Sequence, residues 1–225
     1  MDWPRTVEDL RDVQTRLGST RPCVFPVPET PSVGGVFVCF PRGGMGAGAA
    51  GDPGWAAAVV MQGRRRAQAA TVRGSAGAAY RPGFLALREG PLLAAAVDAL
   101  ERKPDVLIVN ATGRDNPRRC GLAVHLGAVL DIPTVGVTHR PLVASGAWPQ
   151  EGRWSRSPLM LGGEVVGYWF RTSVGTRPVC VHAGWRTGPD LAVEIVRLVT
   201  GRFRTPEPLR RARTAARRFR TAQRF

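Results

Sequence analysis

Between residues 6 and 17, apolar side chains recur at spacings of three and four, at Val7, Leu10, Val13 and Leu17. This predicts a short amphipathic helix with Thr6 as N-cap and Asp9 in its first turn. Residues 21–32, RPCVFPVPETPS, are too rich in proline to continue a helix or enter a central strand and read as a linker. Residues 33–40, VGGVFVCF, are an apolar run too short for a helix and rich in β-branched and aromatic residues, hence a first strand. The glycine-rich residues 41–54 have neither a GK[ST] ending nor a GxGxxG that opens a helix, so they read as a flexible hairpin connection. Residues 55–62 and 67–73 are two more strands, separated by Gly63 and the run Arg64, Arg65 and Arg66. Three strands on short connections make an antiparallel meander.

The period then changes. Residues 90–102 predict a helix with Pro91 in its first turn and Leu92, Leu93, Ala96 and Leu100 on its apolar face. A short strand at 106–109, a helix at 120–130 and a strand at 134–137 follow. Further strands are expected at 165–171 and 179–182, and a helix at 189–200. Alternation of this kind argues for parallel strands with crossover helices. The predicted class is α/β: a ribonuclease-H-like mixed sheet, an antiparallel three-strand meander followed by αβαβ units, with helices on both faces.

Composition adds a partner. The 225 residues carry a formal charge of +15 and a pI of about 11.5, with 44% apolar and 22% charged residues, which excludes a disordered or acidic chain. The excess is uneven, since residues 201–225 hold nine arginines and the single acid Glu207. The expected division is therefore one domain over residues 1–208 and an arginine-rich tail over 209–225. A basic surface attracts polyanions by counterion release, which makes DNA or RNA the first expected partner. Cys23, Cys39, Cys120 and Cys180 show no CxxC pair and no histidine at zinc spacing, so they read as thiols outside disulfides and zinc sites. The acidic N-terminus lacks a signal-peptide pattern and no apolar run is long enough for a membrane span, so no membrane partner and a cytoplasmic address are expected. The oligomeric state is not legible.

In open α/β sheets functional groups gather at the carboxyl ends of strands. Phe37, Asn110 and His139 hold such positions, and none is a carboxylate of the kind that binds Mg²⁺. The one acid in a suggestive context is Glu89, in GFLALREGP, expected just before a helix.

The segment from Ala79 to Leu142 resembles the endonuclease V family through PGFLxxRE, KPDxxxV, xPRRxGxAxHxG and DxPTxGV, and FRTPEP at residues 203–208 adds a second match. The resemblance implies a ribonuclease-H-like fold and a Mg²⁺-dependent cut at the second phosphodiester bond 3′ of inosine. Carried over residue by residue, it places a family aspartate at Phe37 and another at Asn110, a lysine at His139, and histidines at Asn116 and Trp185. Only Glu89 remains of the acidic group, and alone it would hold Mg²⁺ weakly. Tyr80 resembles the base-wedging tyrosine, Gly83 and Gly121 the glycines of close backbone approach, and Arg118 a phosphate contact.

Bland readings accompany these assignments. Glu89 would cap or ion-pair at a helix start, Phe37 would be core, and His125 a hydrogen-bonded core histidine. His139 titrates near neutrality and is a candidate acid or base beside Glu89. His182 and Trp185 are expected in a loop at the cleft mouth, with Trp185 able to stack on a base. Asp52 and Asp115 are candidate substitute acids without a supporting motif. Arg118 and Arg119, together with Arg210, Arg211 and the rest of the tail, are expected to hold phosphates, the tail arginines having no internal partners. Three functions stay open at this point: a nucleic-acid-binding protein without hydrolysis; an active nuclease using Mg²⁺ through Glu89; and a repurposed protein without a metal cofactor that takes a nucleotide or small anion, with His139 and Glu89 in acid/base roles.

Overall fold

The computed structural model describes residues 2–41, 46–63 and 65–223. Its elements run α1 (Val7–Ser19), β1 (Ser32–Cys39), β2 (Pro53–Gln62), β3 (Arg65–Ser75), α2 (Leu85–Asp98), β4 (Val106–Val109), α3 (Leu122–Leu130), β5 (Thr134–Thr138), β6 (Arg156–Leu161), β7 (Glu164–Phe170), β8 (Val179–Ala183), α4 (Pro189–Leu198) and α5 (Glu207–Ala222). The strands form one eight-stranded sheet in the order β3-β2-β1-β4-β5-β8-β7-β6. The pairs β1/β4 and β4/β5 are parallel and the others antiparallel. The expected ribonuclease-H-like mixed sheet is therefore the observed one.

Each face of the sheet buries its own apolar layer. Val36, Val38, Leu107 and Val109 point toward α2 and α3 and pack with Leu93, Val97, Leu122 and Leu126. Val33, Val106 and Ile108 point the other way, onto Ile195 and Val196 of α4 and Leu209 of α5. Alternation along β1 sends Phe37 to that second face, where Ala212, Ala215 and Ala216 of α5 meet it. Small residues let α5 lie close to the strands. The start of α5 is closest, because a Cβ on Gly35 would sit 2.3 Å from the Pro208 carbonyl carbon. Residues 209–222, set apart in the sequence as a basic tail, thus form a helix docked on β1 and β2, and the expected boundary at 208 falls in its first turn.

Three local expectations are corrected. The second helix begins at Leu85, not at residue 90, so Pro91 and Glu89 lie inside it. Pro91 has no N–H to give the Leu87 carbonyl. The backbone of Gly77 fills the gap so closely that a Cβ there would meet that carbonyl oxygen, and its N–H donates to Arg88 O at 3.3 Å. The strand β6 was not expected; it lies at the edge of the sheet, where Pro158 is tolerated. Finally, Arg65 and Arg66 belong to β3, while Arg64 and residues 42–45 of the glycine-rich connection lie outside the described residues.

Candidate functional site

A cleft of about 380 Å³ opens at the carboxyl ends of β4 and β5, against the first turns of α2 and α3. Tyr80, Gly83, Glu89, Asn110 and Gly121, all singled out in the sequence, line it together. Tyr80 stands half exposed at the mouth, and its N–H is fixed by Ala47 O at 2.7 Å. Gly83 adopts φ +81, a conformation glycine takes without strain. Its carbonyl accepts from Gln14 Nε2 at 2.8 Å and from Asn116 Nδ2 at 3.3 Å. Gln14 also donates to Cys120 O at 2.9 Å, so this one α1 side chain bridges two walls of the cleft. Gly121 caps α3, and a Cβ there would meet the Thr112 carbonyl oxygen at 2.3 Å.

The acid–base character of the cleft differs from that of a metal site. Phe37 and Asn110 each lie one residue beyond the last parallel pair, Val36 with Val109, so the β1/β4 register sets them side by side. Glu89 projects from α2 into the cleft, where burial pushes its pKa up to about 8 against a smaller lowering by Arg88. Its carboxyl is thus largely protonated at neutral pH. Neither candidate substitute acid is available. Asp115 is fully buried and accepts from the backbone N–H groups of Leu142, Val143 and Ala144 at 2.6, 2.9 and 2.7 Å. Asp52 pairs with Arg88 Nη2 at 2.9 Å and accepts from Ala49 N, contacts that hold its pKa below the ordinary value. Mg²⁺ requires several hard oxygen donors. Among the described residues no group of three or more His, Cys, Asp or Glu side chains could hold a metal, so the donor set does not fit the ion.

Two arginines, Arg81 and Arg140, line the cleft. Arg11, Arg81 and Arg118 place their guanidinium carbons 5.7, 4.8 and 5.3 Å from the Phe84 ring centre, and Arg118 is further held by Gln14 Oε1 at 3.4 Å. Arg140 lines the cleft on a loop secured by Asp115. The sequence reading missed Arg11, Arg81 and Arg140, although Arg81 and Arg140 adjoin Tyr80 and His139 in the chain.

Other predicted residues lie elsewhere. Arg119 turns to the β6–β7 hairpin, donating to Leu161 O at 2.6 Å and lying 3.5 Å from Glu164. Arg210 and Arg211 pair with Glu207 at 2.7 and 3.2 Å, correcting the view that the tail arginines lack internal partners; helical spacings of three and four bring them within its reach. His182 is a fully buried residue of β8, and its Nε2 meets Thr138 Oγ1 at 2.9 Å. Trp185 packs beside Val124 and Ala128 of α3 and does not line the cleft. His125 stacks on Trp3 at 4.7 Å, and neither ring nitrogen has a hydrogen-bond partner among the described residues. His139, one residue past β5, keeps an exposed edge; partial burial, then Arg204 and Arg213, lower its pKa.

Comparison with known proteins agrees with this architecture. The family model described as Endonuclease V matches residues 29–214. An endonuclease V of Streptomyces avermitilis is 37% identical over 223 residues, 96% of this chain and 93% of that protein. One from Rhodospirillum centenum is 43% identical over 144 residues, 64% of this chain and 60% of that protein. The crystal structure of an endonuclease V from Streptomyces avermitilis superposes with a TM-score of 0.87 at 36% identity, covering 98% and 95% of the two chains. A Ciona intestinalis endonuclease V, solved in complex with a 24mer DNA containing an inosine followed by a ribo-adenosine, shares the fold with a TM-score of 0.76 at 20% identity, covering 96% and 98%. In family match and in fold, this chain belongs to the endonuclease V family.

Proposed function

We propose that this protein binds deaminated or structured nucleic acid in the Tyr80–Glu89–Asn110 cleft and has lost metal-dependent phosphodiester hydrolysis. The observation that carries the reading is the placement of Phe37 and Asn110, each one residue past the last β1/β4 pair, where the resemblance to the family would put carboxylates, with Glu89 the one acid lining the neighbouring cleft. Hydrolysis assisted by Mg²⁺ would need clustered carboxylates to hold the ion. Binding needs cations and a base-sized cleft, and both are available. Arg81 and Arg140 supply charge in the cleft lining, Arg11 and Arg118 join Arg81 on the neighbouring Phe84 ring, and Tyr80 supplies an exposed ring to probe a base. The complex of the Ciona relative with inosine-containing DNA supports that ligand class. Arg210 and Arg211 would contribute less, because Glu207 already neutralises part of their charge.

The test is binding and cleavage of single-stranded DNA and RNA with and without one inosine, in Mg²⁺ and in Mn²⁺. Wild type should bind, with affinity falling steeply as salt rises, and should not cut. The Phe37→Asp, Asn110→Asp double variant should recover metal-dependent cutting. Cutting by wild type that disappears in Glu89→Ala would instead establish an active nuclease, and absence of affinity for any strand would favour a small-molecule ligand.

A further inference from the structure

A basic groove lies away from the cleft, on the face of the sheet covered by α4 and α5. Three hollows of about 290, 520 and 490 Å³ adjoin there. Arg210 and Arg211 line the first two, and Arg153, Leu198 and Thr200 line the last two, so the three are continuous. The groove runs from Arg66 and Arg218, beside the β2–β3 hairpin, past the α4–α5 connection to Trp154 and Arg197. It shares no lining residue with the cleft. Met61 in the groove pairs with Val33 at the start of β1, whereas the cleft opens at the far end of β4.

Every ionisable side chain lining the groove is an arginine except Glu194 and Glu207. Glu207 is taken up by Arg210 and Arg211. Arg66, Arg153, Arg197, Arg202 and Arg218 have no carboxylate within ion-pair distance among the described residues. A charge run that merely faces solvent leaves its side chains free, but here rings and carbonyls hold several of them. The guanidinium carbons of Arg153 and Arg197 lie 4.2 and 5.6 Å from the Trp154 ring centre, and those of Arg202 and Arg210 lie 4.9 and 4.6 Å from that of Phe203. Arg153 also donates to Thr172 O at 3.1 Å and to Gly201 O at 2.6 Å. Guanidiniums held in this way lose less freedom when an anion binds.

We propose that this groove is a second nucleic-acid site, one that grips the phosphate backbone without reading bases. Cations strung along a concave surface match the regular charges of a backbone, whereas a small anion would occupy one hollow and a flat membrane would reach only the rim. The Trp154 ring is already engaged by Phe170, at 5.6 Å, and by two guanidiniums, so the contacts on offer are to phosphates. The inference shares its ligand class with the proposed function and not its site. A nucleic acid long enough to pass from one face to the other would engage both, each bound segment raising the local concentration of the next.

The test is binding of an inosine-free oligomer of about 12 nucleotides to the full chain across a salt series, as single strand and as duplex, read by fluorescence anisotropy. The Arg202→Gln, Arg218→Gln double variant removes one exposed cation from each of two hollows. It should weaken binding about tenfold and flatten the log–log salt dependence by about one per arginine. Arg102→Gln with Arg177→Gln removes the same charge from exposed positions outside the groove and should stay within about twofold of wild type. Circular dichroism verifies both folds. Preference for an inosine-containing strand over the plain one, a property of the cleft, should be the same in the groove variant as in wild type. Equal losses in the two double variants would reduce the effect to net charge and overturn the groove. Unchanged binding by the folded groove variant would also overturn it, as would capture of vesicles containing phosphatidylserine without affinity for any strand. Tighter binding of the single strand or of the duplex identifies the form held, and either upholds the site. Loss of plain-strand affinity in the groove variant of a protein without inosine preference would count against the proposed function and leave the groove standing.

Discussion

The Arg213 guanidinium lies 5.1 Å from the centre of the Phe37 ring, so a cation from α5 covers the strand position to which the resemblance to the family assigns an acid. Restoring the acid alone therefore sets it beside a positive charge. In the Phe37→Asp, Asn110→Asp background, Arg213 would compete with a divalent ion for the new carboxylates. Adding Arg213→Ala should raise Mn²⁺ affinity by about tenfold, the equivalent of ~1.4 kcal/mol for one screened charge. Calorimetric titration of the two variants checks this. Equal affinities would mean that the guanidinium does not reach the metal position.

Glu89 sets one pH dependence. Its folded-state pKa is raised from 4.5 to about 8, so the folded chain holds a proton that the unfolded chain has released. That contribution to stability is full below pH 4.5 and declines as pH rises toward 8, by an amount on the order of 5 kcal/mol at most. Glu89→Gln should accordingly raise Tm at pH 9 much more than at pH 5. Thermal melts of both proteins across that range provide the measurement.

His125 acts with the opposite slope. Burial, with Arg16 adding to it, lowers its pKa from 6.5 to about 4, so the unfolded chain takes up the proton first as pH falls. Stability is full above pH 6.5 and is lost between pH 6.5 and 4, by about 3 kcal/mol. His125→Phe, which can keep the stack on Trp3, should remove most of that loss in denaturant titrations at pH 4.5 and pH 7.

Asp115 carries its energy through the backbone. Replacing it with Ala leaves three N–H groups at 142–144 without their acceptor, which should cost about 2–4 kcal/mol in unfolding experiments. Because the same loop presents Arg140 to the cleft, strand affinity should fall as well.

How much of this was legible in the sequence varies with the kind of interaction. Short apolar runs identified β1, β2, β4 and β5, whose burial is nearly continuous, and helical spacing identified α4. It placed the start of α2 too late, because Pro91, read as a first-turn residue, lies inside the helix. The grouping of Tyr80, Gly83, Glu89, Asn110 and Gly121 followed from motifs. The roles of Asp115, Arg213 and Gln14 did not, since each acts on backbone or rings distant in sequence that only the fold brings near.

Gln14 ties the N-terminal helix to the cleft proposed to take a strand. Its amide holds the carbonyls of Gly83 and Cys120 at once, so α1 works as a tie-rod across the cleft. Occupancy of the cleft and docking of α1 then become linked equilibria. A bound strand should slow amide hydrogen exchange in residues 12–19, C-terminal to Arg11 and its contact with Phe84, and Gln14→Ala should abolish that protection.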